Sequence, residues 1–151
     1  MLSLRVLTLF YLRFPLTLDC LATRQNRIVP RYFSAAFELE ALGTDFFKQC
    51  ISKEEFCWVF PHPRLMSKVL DHLADQGSRG ILLLVCLPSS CAFSRVFAAG
   101  KTARFVKAYE EVFPTWQGPE EVASSFFKGR ARQRVYLIQF DFDLVNPLEM
   151  C

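Results

Sequence analysis

Metal-ligand and phosphate-binding signatures are missing from this chain. No two cysteines form a Cys-x-x-Cys pair, and the only histidines are His62 and His72, so the four close ligands of a zinc site are not supplied. No Gly-x-Gly-x-x-Gly, Walker loop or Gly-x-Ser-x-Gly elbow occurs, which removes the commonest dinucleotide, nucleoside-triphosphate and serine-hydrolase readings. Internal repeats and low-complexity segments are also missing. No apolar run approaches the roughly 20 residues of a helical membrane span. Charge of either sign is modest, and a net charge of +3 predicts nothing about nucleic acid by itself.

Hydrophobic side chains are plentiful, at 52% of residues against 22% charged, a globular composition and not a disordered one. At 151 residues the chain has the size of one domain, long enough to bury roughly two-thirds of its unfolded surface. The 16 phenylalanines imply bulky core packing or an apolar surface that a partner would cover.

Six cysteines stand at positions 20, 50, 57, 86, 91 and 151. Cys57 and Cys86 fall in apolar runs, where a thiol behaves as a small buried hydrophobe. A chain of this size needs no disulfide staples, so structural thiols in a reducing compartment, cytoplasmic or nuclear, are expected. The amino terminus carries a rival pattern. Arg5 precedes an apolar stretch over 6–12, and Cys20-Leu21-Ala22 has the small residues of a cleavage site. Arg13, Pro15 and Asp19 interrupt that outline, and a buried strand followed by a turn is the preferred reading.

Leu16-Thr17-Leu18-Asp19 reads as a short strand, followed by the polar loop 23–27; residues 44–47 read as strand or turn. A strand over 56–59 leads through Phe60-Pro61-His62-Pro63 into a helix over 64–76. Leu65, Met66, Val69, Leu70 and Leu73 share one face of that helix, and Gly77 and Gly80 stop it. The unbroken apolar run over 80–87, closed by Pro88, suits a central parallel strand covered on both faces. A helix over 90–99 ended by Gly100, a strand over 102–106 and a last strand over 134–142 follow. Strand and helix alternate as in βαβ units, which predicts an α/β three-layer fold.

In such a sheet ligands collect at the carboxyl ends of strands, where Asp19, Asp45 and the loop 60–63 fall. Capping of turns is the preferred account of Asp19 and Asp45. His62 reads as an exposed loop residue and His72 as the polar side of its helix. The one concentrated basic patch is Lys128-Gly129-Arg130-Ala131-Arg132-Gln133-Arg134. If extended, it aims Arg130, Arg132 and Arg134 the same way, toward successive phosphates, with Phe126 and Phe127 beside them for stacking. A solvated loop explains it as well.

A resemblance rests on several motifs in order: Asp19-Cys-Leu-Ala-Thr23-Arg-Gln-Asn26, Pro30-Arg31-Tyr32-Phe33-Ser34, Gly43-Thr-Asp45-Phe-Phe and Cys57-Trp58-Val-Phe-Pro61. Together they resemble the region after the ribonuclease H part of DIRS-type tyrosine-recombinase retrotransposon polyproteins. That region is similar to phage-type Dam DNA N-6-adenine methyltransferases. The likeness runs over about residues 14–145, leaving a leader at 1–13 and a tail at 146–151. It implies a three-layer Rossmann-like methyltransferase fold, truncated at its amino terminus, with S-adenosylmethionine and an extruded adenine as ligands.

The family's loop is Asn-Pro-Pro-Tyr/Phe or Asp-Pro-Pro-Tyr. An Asn or Asp side chain and a proline carbonyl accept the adenine amine's two protons, and the terminal aromatic stacks on the base. Here the acceptor position is Phe60, the first proline is Pro61, the second is His62 and the stacking position is Pro63. Three of these four depart from the family, and no catalysis is expected. Asp19 and Asn26 match the family's opening and stand as cofactor-pocket candidates; no cofactor or metal is expected unless the S-adenosylmethionine site survives. Residual nucleic-acid or protein binding is the expected activity, with Lys128, Arg130, Arg132 and Arg134 as the nucleic-acid candidates. An active methyltransferase with an altered loop and a small secreted protein remain the alternatives.

Overall fold

The structure is a computed structural model that describes residues 13–85, 91–112 and 134–144. Residues 1–12 of the leader, the tail, the strand end at 86–88 and the basic residues Lys128, Arg130 and Arg132 lie outside the described residues.

Alternation builds the first strand: Leu16 and Leu18 are buried while Thr17 between them is exposed. β1 (Leu18–Asp19) lies parallel to β4 (Phe56–Val59), pairing Leu18 with Cys57 and Asp19 with Trp58. β5 (Arg79–Val85) continues in parallel on the other side of β4. Every β5 residue after Arg79 is buried, as the unbroken apolar run predicts for a strand covered on both faces.

Between β4 and β5 runs α1 (Met66–Gln76), which buries Met66, Val69, Leu70 and Leu73. Leu65, expected on that face, belongs to the preceding 3-10 turn (Pro63–Leu65) and is 39% exposed. Gly77 ends α1 in the left-handed conformation at φ 63°. Its N–H donates to the Ala74 carbonyl and the Ser78 N–H to the Leu73 carbonyl, a Schellman closure. Gly80 does not stop the helix but sits inside β5 opposite Cys57. A Cβ there would lie 2.1 Å from the Cys57 carbonyl oxygen, so the close approach of two strands demands glycine.

The later half departs from simple βαβ repetition. β9 (Val135–Asp141) runs antiparallel to β5, and β8 (Val106–Val112) antiparallel to β9, giving the order β1-β4-β5-β9-β8. The sheet is therefore mixed. The expected helix over 90–99 is shorter, α2 (Cys91–Val96), because β6 (Phe97–Ala98) turns back on β7 (Lys101–Thr102). Ala99 and Gly100, at φ 52° and 77°, form the two-residue turn that suits a tight hairpin. Lys101 and Thr102 thus belong to the hairpin, and the next strand starts at Val106. A small parallel pair, β2 (Phe33–Ser34) and β3 (Gly43–Thr44), precedes a 3-10 turn (Phe46–Lys48), so the segment over 44–47 is part strand and part turn.

Alternate β5 residues feed two cores. Leu82 and Leu84 join Leu18, Cys20, Cys57, Leu70 and Phe140 on the α1 side. Ile81 and Leu83 join Leu16, Val29, Trp58 and Leu137 on the other. Cys20 and Cys57 are free and fully buried, and Cys50 is exposed. The fold is mixed α/β around one five-stranded sheet. Among the described residues no helix is long and apolar enough to cross a membrane.

Candidate functional site

Because β1 and β4 are parallel neighbours, the chain leaves both at the same edge. The segment after β1 and the loop after β4 therefore face each other, tied at the start by the Cys20 N–H donating to the Trp58 carbonyl at 3.0 Å. A cavity of about 580 Å³ opens between them. Residues 21–26 form one wall, Phe60, Pro61, His62 and Leu65 another, and Ala35, Ala36 and Glu38 a third. Its size is that of a small-molecule site, and its lining is mostly apolar.

Asp19 lies beneath this wall, not in it. It is 3% exposed, and its carboxylate accepts the N–H groups of Ile28 at 3.0 Å and Leu21 at 3.4 Å, the two flanks of the wall segment. Burial pushes its pKa up to about 6, with the Ile28 and Leu21 N–H groups pulling the other way. Asn26 does line the cavity, but its Oδ1 accepts from the Thr23 N–H at 2.7 Å while the Thr23 hydroxyl accepts from the Asn26 N–H at 3.2 Å. The two sequence candidates thus shape a loop before they touch any ligand.

The second wall is equally local in origin. His62 Nδ1 accepts the Arg64 N–H at 3.2 Å, and Pro63 occupies the first position of the 3-10 turn leading into α1. His62 and Pro63 together cap and open this helical turn. Phe60 brings a ring and no acceptor to the cavity.

Glu38 is the functional candidate that sequence reasoning missed. It lies in the loop Ala35-Ala36-Phe37-Glu38-Leu39-Glu40, with no motif around it. Its Oε1 accepts the Arg24 N–H at 2.9 Å and the Tyr32 hydroxyl at 3.4 Å, and neighbouring Glu40 pairs with Arg24 at 3.2 Å and Arg27 at 3.5 Å. These contacts latch the 35–40 loop to the wall after β1.

Asp45 is not part of the cavity lining; it caps the 3-10 turn by accepting the Phe47 N–H at 3.1 Å. His72 is half-buried, with Nε2 2.8 Å from the Gln49 carbonyl and its ring edge-on to Phe46, so it serves packing. Arg134, the described end of the basic stretch, stands at the start of β9, 3.7 Å from Glu111. Among the described residues no cluster of His, Cys, Asp or Glu could hold a metal ion. Cleavage after Ala22 would take β1 out of the sheet. Among known proteins, no family model matches the chain and no curated protein matches it.

Proposed function

We propose that the chain is a retroelement-derived domain like the DNA adenine methyltransferases, in which the catalytic loop no longer transfers methyl groups. The observation that carries the reading is convergence. Residues 21–26 of the first motif and 60–62 of the loop, far apart in sequence, border one cavity at the carboxyl ends of two parallel strands. That is where an open α/β sheet holds ligands. The β4–α1–β5 unit, with both faces of β5 buried, supports a Rossmann-like three-layer arrangement.

The residues fit the family's ligands only in part. Apolar walls and the Phe60 ring suit a flat heterocycle. The adenine amine, however, needs an acceptor where Phe60 stands, and a missing contact of this kind costs about 3 kcal/mol of barrier or more. S-adenosylmethionine, if bound, would supply an electrophilic methyl group; the chain's own Asp19 and Asn26 hold the loop that would meet it.

One observation favours the active alternative: Glu38 brings a carboxylate to the same cavity. It is already an acceptor for Arg24 and Tyr32, which is why silence is preferred. Two measurements on the full chain separate the readings. Calorimetric titration with S-adenosylmethionine reports whether the cavity still takes the cofactor, and methyl transfer to DNA reports whether chemistry survives. The proposal expects no transfer; transfer that is lost in Glu38→Gln would establish the alternative.

A further inference from the structure

We propose that the β8 edge of the sheet, with the β6–β7 hairpin beside it, binds single-stranded nucleic acid. The surface is separate from the cavity and does not rest on the methyltransferase reading. Four rings gather there. The Phe97 centroid lies 5.4 Å from Phe93, 5.0 Å from Tyr109 and 5.2 Å from Tyr136, and Tyr109 lies 6.2 Å from Tyr136. Phe93, Phe97 and Tyr136 lean on the α1-side core, and Tyr109 extends the cluster to the surface. Tyr109 is 53% exposed, and Phe93, Phe97 and Tyr136 are only half-buried. Among the described residues β8 is also the terminal strand of its sheet.

The chain around these rings is cationic. From 92 to 109 there is no acidic residue, while Arg95, Lys101, Arg104 and Lys107 occur. Arg95 is tied to Asp71 at 2.9 Å, and Lys101 and Lys107 are exposed. The acids that follow are engaged, Glu110 by Arg13 and Glu111 by Arg134. Arg134 itself stands at this edge, next to the paired Val112 and Val135.

Exposed lysines on the strands that carry partly open rings match a phosphate chain whose bases are free to stack. A duplex keeps its base faces covered and could use only the charge. An apolar protein partner would be poorly served by a rim of lysines.

The test is fluorescence anisotropy on the full chain, with labelled pyrimidine strands of about 12 nucleotides, DNA and RNA run separately. Binding of either strand, weakened about tenfold and made less salt-sensitive in Lys101→Glu/Lys107→Glu, is expected. Tyr109→Leu should weaken it about fivefold or more, while Tyr109→Phe, which keeps the ring, should not. Circular dichroism of each variant checks that the fold is kept. The proposal is overturned if neither strand binds, or if duplex DNA or polyglutamate binds equally well. It also falls if the 101/107 pair and Tyr109→Leu leave binding intact.

Discussion

At Asp19 a carboxylate 3% exposed is held among apolar neighbours by two backbone N–H groups, with its pKa raised to about 6. An acid whose folded pKa is raised binds its proton more tightly in the fold than in the unfolded chain. Stability from this group is therefore fully present below about pH 4 and is lost as pH rises through about 6. The difference is on the order of 3 kcal/mol. Urea unfolding of wild type and Asp19→Asn between pH 4 and 8 should show a steeper loss toward neutral pH in the wild type; parallel curves would refute the assignment. At Gly80 a side chain would collide with the Cys57 carbonyl, so Gly80→Ala should lower stability by about 2 to 4 kcal/mol, read from the same unfolding curves. Unchanged stability would mean that β4 and β5 lie farther apart. The strand-end position of Asp19 allows a turn-holding role, which its bonds to Leu21 and Ile28 give it, but not that it lies buried beneath the loop. Gly80 falls both after the helix and at the head of the apolar run, and only its closeness to Cys57 explains why glycine is needed there.

Elements with one dominant period were readable. The 3–4 spacing of Met66, Val69, Leu70 and Leu73 and the unbroken run after Arg79 specify α1 and β5 almost to the residue. Leu70 is fully buried at the centre of the α1-side core, so Leu70→Ala should cost about 2 to 5 kcal/mol in thermal unfolding. A cost below about 1 kcal/mol would contradict that packing. The segment 91–102 was misread because Ala98-Ala99-Gly100 suits a helix end as well as a hairpin turn. Only pairing of Phe97 with Thr102 decides between them. The antiparallel placement of β9 between β5 and β8 was likewise invisible, since strand direction is set by connections and not by hydropathy.

For the whole molecule, the sequence identified two motifs but not that they share a cavity; that follows from β1 and β4 being parallel neighbours, a long-range pairing no local pattern encodes. Burial also sorts the described cysteines. Brief alkylation of the native protein should label Cys50 well before Cys20 and Cys57, and early labelling of the latter two by peptide mass analysis would contradict the core assignment. Of the two outcomes the phenylalanine content allows, core packing takes most of the described rings, while Phe37 and neighbouring Leu39, 79% and 91% exposed, leave an apolar spot on the loop that carries Glu38. The central claim, a cavity kept while its chemistry is lost at Phe60, is tested most directly by incubating the purified chain with DNA and tritiated S-adenosylmethionine. The account predicts no methyl label on single-stranded or duplex DNA. Label that appears with the wild-type chain and disappears in Phe60→Ala would contradict it.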